Sequence, residues 1–304
     1  MKPLCQLHTE ESYPQNNENN LTPHSMTTTD IQKTIIPYIG ETVPYITVPE
    51  NIIFNGHHLE TEISGRDFRN ENLTDLLKTL ASLGSCSLYK RLNNSSEKKI
   101  YFLGEKLRIR KLSYQPIPDT LLVTGESYLE SKRKGKSCLS VKDKQSGEPL
   151  YSFELDYYII TQDAFRIFYK DFFNDTPAES YDEKLPEGRI NYTEDQHQFT
   201  ISINPFTLNQ CKGHFENYPI VPFVFIANCT LREIFNFLGN KNSYEIDSLE
   251  GYASKAMPIG TEFLIEVFQQ KFLKNLIYFK CEIKDTAGNT YAVMIINIKS
   301  ESTQ

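Results

Sequence analysis

The stretch Gly213-His-Phe-Glu-Asn-Tyr-Pro-Ile-Val-Pro-Phe-Val-Phe-Ile-Ala-Asn228 decides the fold of this chain. It begins with a histidine between a glycine and a phenylalanine, and the two prolines that follow restrict the backbone to a defined loop. From Val224 onward apolar residues recur at steps of three and four, and Gly239 is placed to end a helix. The pattern therefore predicts a rigid loop that carries His214, followed by an apolar, buried central helix over residues 223–238.

This stretch resembles the active-site motif of the β-hydroxyacyl-acyl-carrier-protein dehydratases, a family with the hot-dog fold. The family pattern reads roughly Gly-His-Phe-Pro-Gly-x-Pro-Ile-x-Pro-Gly-Val-x-x-x-Glu, and aspartate also occurs at its last position. This chain shares seven of its positions, namely Gly213, His214, Phe215, Pro219, Ile220, Pro222 and Val224. Two departures matter for chemistry, because Phe223 replaces a glycine of the family and Asn228 replaces its catalytic carboxylate.

A second part of the chain carries the same resemblance. Residues 31–48 contain Ile35-Ile36-Pro37-Tyr38 and then Pro44-Tyr45-Ile46, which resembles the opening of the dehydratase family. In that family a helix ends at a proline, and a further proline–aromatic pair leads into the first strand. The resemblance therefore begins far upstream of His214.

The resemblance implies roles for named residues. His214 would be the base that removes the α-proton of a β-hydroxyacyl thioester, and a backbone N–H near Phe223 would polarise the thioester carbonyl. An asparagine cannot act as an acid, so Asn228 is left to hydrogen-bond a hydroxyl or water. The acid is then expected from the central helix of the other half, where Asp75 is the candidate. The expected substrate-binding residues are Phe215, Tyr218, Pro222, Phe223 and Val224.

An internal repeat predicts two copies of one fold. The segment beginning Pro116-Ile-Pro-Asp matches the one beginning Pro258-Ile-Gly-Thr, and Val141-Lys-Asp matches Ile283-Lys-Asp. Both pairs are separated by 142 positions, which indicates a duplication. We expect an α+β double hot-dog fold with two central helices, about residues 72–90 and 223–238, each wrapped by an antiparallel sheet. The two sheets would join edge to edge, which leaves fewer edges exposed.

The repeat and the local composition together predict the domain boundaries. The polar segment 1–28 is expected to be a disordered tail. A first hot-dog repeat without the Gly-His-Phe motif would follow over 29–165. A linker over 166–195 then leads to a second repeat over 196–304, which carries His214.

The composition of the chain indicates which binding partners and which cellular compartment to expect. The net charge of −7 disfavours nucleic acids and anionic membranes as main partners. The six cysteines include no Cys-x-x-Cys pair, which indicates reduced thiols and a cytoplasmic protein. No apolar run is long enough to span a membrane, and we expect neither a metal nor a cofactor. The substrate would be carried on the phosphopantetheine of an acyl carrier protein or on CoA, and the chain would be a monomeric pseudo-dimer or a homodimer.

Three functions are consistent with the sequence. The first is a dehydratase, a lyase acting on 3-hydroxyacyl-carrier-protein or 3-hydroxyacyl-CoA in fatty-acid or polyketide-type synthesis, with His214 as base. The second is a catalytically impaired hot-dog binding module or a partner of another dehydratase, because Asn228 stands where the acid is needed. The third is a thioesterase or a condensing hot dog. The distance from His214 to a carboxylate discriminates an enzyme from a binding module.

Overall fold

The computed structural model describes residues 24–66, 68, 73–92, 98–195, 197–239, 244–273 and 275–300. Four α-helices lie in these ranges, namely α1 (Thr28–Thr34), α2 (Leu73–Leu92), α3 (Gln162–Phe168) and α4 (Phe223–Leu238). The strands there are β1 (His24–Thr27), β2 (Asn51–Asn55), β3 (His58–Ser64), β4 (Ile100–Lys111), β5 (Thr120–Ser131), β6 (Lys134–Asp143), β7 (Pro149–Thr161), β8 (Gly188–Tyr192), β9 (Gln198–Ile203), β10 (Tyr244–Ala253), β11 (Phe263–Leu273), β12 (Leu276–Asp285) and β13 (Thr290–Ser300).

All of these strands belong to one antiparallel sheet in the order β1-β2-β3-β5-β6-β7-β4-β10-β13-β12-β11-β9-β8. The first half of the chain contributes β3-β5-β6-β7-β4, and the second half contributes β9-β11-β12-β13-β10. In each half the first of these five strands, β3 or β9, is the last strand before a long helix, and the other four follow that helix. The two halves therefore have the same strand order, and they meet where β4 pairs with β10.

The two long helices are buried because apolar side chains cover most of their faces. In α2 the leucines 76, 77, 80 and 83 are fully buried. In α4 the buried residues include Val224, Ile226 and Leu231, and the helix ends before Gly239, which has a left-handed φ of 83°. The sheet packs against both helices, so burial of these apolar faces drives the fold.

The beginning of the chain corrects one expectation. Residues 1–23 lie outside the described residues, but residues 24–28, which were expected to be disordered, form β1 and the start of α1. Met26 is buried against the core, and Thr27 and Asp30 cap each other at the start of α1. A buried side chain and a capping box together offset the entropy of ordering this short segment.

The segment 166–195 between the halves contains the end of α3, a short 3-10 turn at Lys170–Phe172, and β8. Strand β8 pairs with β9 and lies at the edge of the sheet. Helix α3 packs against β4 and β7, and it brings Phe165 into contact with the loop that carries His214.

Candidate active site

The loop that carries His214 lies against an upstream segment of the chain. The backbone N–H of Thr42 donates a hydrogen bond to the carbonyl of Gly213 (2.7 Å), and Glu41 faces His214 in an antiparallel bridge. Gly213 has a left-handed φ of 89°, and a side chain there would collide with the Thr42 carbonyl. Glycine at this position therefore allows Glu41 and His214 to come together.

Aromatic packing fixes the next residue of the loop. Phe215 has a left-handed φ of 59°, which is uncommon for a bulky residue and is maintained only by its surroundings. Its buried ring packs edge-on against Phe165 and Tyr101, with ring centroids 5.4 and 5.5 Å apart. This conformation stacks the ring of Phe215 on the imidazole of His214, at a centroid distance of 4.1 Å.

His214 is held as a neutral imidazole. Its side chain is buried, and its Nδ1 lies 2.8 Å from the carbonyl oxygen of Ile220. A carbonyl only accepts hydrogen bonds, so Nδ1 carries the proton and Nε2 keeps its lone pair. Burial lowers the pKa of His214 from 6.5 to about 4, although the hydrogen bond to Ile220 opposes that shift. At neutral pH this imidazole is therefore available as a base.

His214 and Glu41 line one cavity of about 260 Å³ where the two halves meet. The walls come from α2, β4 and β7 of the first half, and from β10, β13 and the start of α4 of the second half. Most of the lining is apolar, and it includes Phe102, Leu107, Leu155, Val221, Ile226 and Met257. A concave apolar space with a few convergent polar groups is the usual form of a small-molecule site.

Two carboxyl groups line this cavity, those of Glu41 and Glu105. Glu105 is exposed and lies 3.9 Å from the ammonium of Lys134, whereas Glu41 faces His214. Burial raises the pKa of the Glu41 carboxyl from 4.5 to about 7, and the positive charge of Lys78 on α2 opposes that shift. The ammonium of Lys78 lies 5.3 Å from the ring centre of Tyr45, which itself contacts His214 at a centroid distance of 4.7 Å. Glu41 is thus close to half-protonated at neutral pH and can give or take a proton there.

Sequence reasoning missed Glu41, although a signal was present. It is the single charged residue between Lys33 and Glu50, in a run dominated by apolar and aromatic residues. A solitary carboxylate in such a run is expected either to be exposed or to have a function, since burial of an unpaired charge is unfavourable.

The start of α4 supplies hydrogen-bond donors to the same cavity. Phe223 and Val224 are the first two residues of the helix, and both line the cavity. Within the described part of the chain, no acceptor engages the backbone N–H of either residue. Unpaired N–H groups at the positive end of a helix dipole favour a carbonyl oxygen that gains negative charge.

The structure separates the predicted substrate-binding residues into two groups. Phe215, Phe223 and Val224 line the cavity with His214. Tyr218 does not line it, and its buried ring packs against the aromatic cluster around Phe165 instead. Pro222 does not line the cavity either, and it forms the N-cap of α4. Their roles in substrate binding stay predictions.

The structure does not bring the two predicted partners of His214 into the cavity. Asp75 is exposed in the first turn of α2, whereas the α2 residues that line the cavity are Ala81 and Ser85. At 1.5 Å per residue, Ala81 lies about 9 Å further along the helix axis. Asn228 is half-buried on α4 beyond the first turn that lines the cavity. Of the two carboxyl groups that do line the cavity, Glu41 is the one whose backbone pairs with that of His214.

The described residues also bear on metal sites and membrane spans. No group of three or more His, Cys, Asp and Glu side chains is arranged there to hold a metal ion. None of the helices in the described ranges combines the length and the apolar character that crossing a membrane requires.

Comparisons with known proteins bear on the fold. No protein-family model matches the chain, and no curated protein sequence matches it significantly. Its structure is similar to that of a 12:0-ACP thioesterase from Umbellularia californica, with a TM-score of 0.53 and 11% sequence identity over 82% of this chain and 99% of that one. A putative oleoyl thioesterase from Lactobacillus plantarum gives a TM-score of 0.53 and 10% identity over 81% of this chain and 95% of that one. The tesB protein of Mycobacterium avium subs paratuberculosis gives 0.51 and 8% identity over 81% and 93%.

At these identities the likeness shows the fold alone. It confirms the predicted hot-dog type of fold. It does not extend to the dehydratase family, whose motif this chain resembles around His214.

Proposed function

We propose that this protein is an acyl-thioester enzyme in which His214 and Glu41 act as an acid–base pair. One observation carries the proposal. A neutral imidazole and a carboxylic acid with a pKa of about 7 line a single apolar cavity, beside unpaired N–H groups at the start of α4. Glu41 supplies the carboxyl that the motif lacks at Asn228, so a catalytically impaired binding module is not our proposal.

The proposal includes a double hot-dog architecture. Each half has the same strand order around one long helix, and the halves join through the antiparallel pairing of β4 with β10. The cavity lies at this junction and takes walls from both halves. A chain of this kind contains within itself the interface that two separate hot-dog subunits would form.

Dehydration of a β-hydroxyacyl thioester is the chemistry that the motif and the two protonation states support. His214 Nε2 takes the α-proton, and the N–H groups of Phe223 and Val224 stabilise the negative charge that develops on the thioester oxygen. The β-carbon–oxygen bond then breaks as the protonated Glu41 carboxyl gives its proton to the hydroxyl, which leaves as water. The enoyl thioester is the product, and proton exchange with solvent restores the pair.

Hydrolysis of the thioester is a second candidate, and the comparisons favour it. The three similar structures described above have TM-scores above 0.5, and their titles contain thioesterase or tesB. In this chemistry the ionised Glu41 would take a proton from a water molecule that attacks the thioester carbonyl. The same N–H groups at the start of α4 would stabilise the tetrahedral oxyanion. As the oxyanion collapses to the carboxylic acid, the carbon–sulfur bond would break, and Glu41 would return its proton to the sulfur, which leaves as the thiol.

The carrier of the acyl group is proposed to be CoA or the phosphopantetheine of an acyl carrier protein. Lys106 and Lys255 line the cavity, and Lys255 and the neighbouring Ser254 are exposed. Ammonium groups in such a position suit the phosphates of either carrier.

The test incubates the protein with β-hydroxybutanoyl-CoA and with butanoyl-CoA. Enoyl absorbance in the ultraviolet reports dehydration, and a thiol-reactive dye reports hydrolysis. We expect His214→Ala and Glu41→Gln each to lower the rate by about 10²–10⁴-fold. Glu216→Gln is the matched control. This exposed carboxylate lies on the loop that carries His214, and it pairs with Lys99 outside the cavity. Wild-type rates in both cavity variants would refute the proposal.

A further inference from the structure

Phe223 and Gly251 form a wall of the cavity that the motif alone does not explain. Both residues line the cavity, Phe223 at the start of α4 and Gly251 in β10. A Cβ atom on Gly251 would overlap the Cζ and Cε1 atoms of the Phe223 ring. The ring of Phe223 therefore occupies the space that a side chain on Gly251 would need.

The central sheet supports this wall from below. Gly251 lies directly opposite Leu107 in the pairing of β10 with β4, and Leu107 is buried and lines the same cavity. On its other side Gly251 pairs with Met294 of β13. A glycine between two paired strands cannot shift far without breaking ladder hydrogen bonds, so the ring rests on a stiff surface.

The backbone of Phe223 determines which part of a substrate meets this wall. In the proposed function its N–H is one of the two donors to the thioester carbonyl, so its own side chain begins within a few bonds of that carbonyl. A bound acyl group therefore passes the ring at the carbon atom next to the carbonyl, rather than at the far end of the acyl chain.

We infer that Phe223, seated on Gly251, restricts this enzyme to acyl groups that are unbranched at the α-carbon. The inference rests on the proposed function, since it assumes that an acyl thioester binds with its carbonyl at the start of α4. One additional methyl group in a closely packed apolar site changes relative affinity by about 10–200-fold. The straight-chain substrate is the one that the wall admits.

Binding of two stable analogues tests this without turnover. The probes are the ketone analogue of butanoyl-CoA, in which a methylene group replaces the thioester sulfur, and its α-methyl counterpart. Calorimetry on the wild-type protein should give about tenfold or more tighter binding of the straight analogue. Phe223→Ala should reduce that ratio to near one, mainly because the α-methyl analogue binds more tightly. Phe223→Leu is the second variant, and it should give an intermediate ratio.

The matched control is Phe237→Ala. Phe237 lies on the same helix, is also half-buried, and stacks on Phe199 at 4.3 Å outside the cavity. This variant should keep the wild-type ratio, and thermal unfolding of all variants shows which of them are folded. A ratio that is equal in wild type and in both Phe223 variants would overturn the inference.

Gly251→Ala tests the contact itself. The new methyl group should displace the ring into the cavity and weaken binding of both analogues in the wild-type background. In the Phe223→Ala background the same change should have little effect, because the ring is absent. Equal effects in the two backgrounds would show that the ring does not rest on Gly251. Failure of the wild type to bind either analogue would instead refute the proposed function.

Discussion

Arg108 and Glu250 face each other across the junction of β4 and β10, and their side chains form an ion pair with Nε and Oε2 3.2 Å apart. The two residues are separated by 142 positions in the chain, which is also the separation of the repeated segments. They are therefore equivalent positions of the two halves. In the proposed double hot-dog architecture, the local two-fold axis that relates the halves would pass between them.

The charge at this junction gives the first prediction. Arg108→Ala should lower the free energy of unfolding by about 1 kcal/mol or less, because the pair is partly exposed to water. Arg108→Glu should be more destabilising, since two carboxylates would then face each other across the strands. The exchange Arg108→Glu with Glu250→Arg should recover most of the loss. Urea denaturation measures all three, and failure of the exchange to recover stability would contradict the pairing.

The pH dependence of catalysis gives the second prediction. Dehydration needs His214 without its proton and Glu41 with its proton. Its kcat/KM should therefore rise as pH increases through about 4 and fall as pH increases through about 7. Hydrolysis with the Glu41 carboxylate as base should instead rise through about 7 without that fall. Measured profiles for the two substrates distinguish the two chemistries.

The third prediction concerns stability. The folded-state pKa of Glu41 is raised from 4.5 to about 7, so the folded state keeps a proton that the unfolded chain loses in this interval. The contribution of the Glu41 carboxyl to the free energy of unfolding is therefore fully present below pH 4.5, and it is lost as the pH rises through about 7. Glutamine at this position does not titrate. The free energy of unfolding of Glu41→Gln minus that of the wild type should therefore increase by about 3 kcal/mol from pH 4.5 to pH 8.

His214 changes stability in the opposite direction, so wild type and Glu41→Gln must be compared at each pH. Its folded-state pKa is lowered to about 4, and this contribution strengthens as pH rises toward 6.5. Both proteins contain His214, so its contribution cancels when the free energy of unfolding of one is subtracted from that of the other. Glu216→Gln serves as the control with an exposed carboxylate, and its difference from wild type should stay flat. A flat difference for Glu41→Gln as well would show that this carboxyl is not buried in solution.

The fourth prediction concerns the two residues first expected to complete the site. Because neither side chain lines the cavity, Asp75→Asn and Asn228→Asp should leave kcat/KM close to the wild-type value. The assay is the same turnover measurement with β-hydroxybutanoyl-CoA. A large loss in Asp75→Asn would show that this carboxylate reaches the substrate, and Glu41 would then no longer be required as the acid.

Local patterns explain how much of this site the sequence could predict. The loop around His214 and helix α4 depend on prolines, apolar spacing and Gly239, all of which act over a few residues. The internal repeat could also be predicted from the sequence, because two pairs of matching segments are separated by the same number of residues. These features were enough to predict the hot-dog type of fold, which the structural likenesses confirm.

The identity of the acid depends on contacts that no local pattern encodes. Glu41 reaches His214 because Gly213 lets the upstream segment approach the loop, and these residues are far apart in the sequence. Asp75 was expected from its place near the start of a helix, but position along the α2 axis puts it outside the cavity. Contacts between segments that are distant in the sequence, rather than helix periodicity, determine which carboxyl group lies beside His214.

The pairing of β4 with β10 also has a consequence for how the chain tolerates a break. Residues 173–187 join the halves without a helix or strand. A cut there would yield two fragments, and separation would expose an unpaired strand on each, β4 on one and β10 on the other. Each exposed edge has one complementary partner, so the fragments should reassemble when mixed. The protein is thus suited to fragment complementation, and return of activity on mixing would report reassembly.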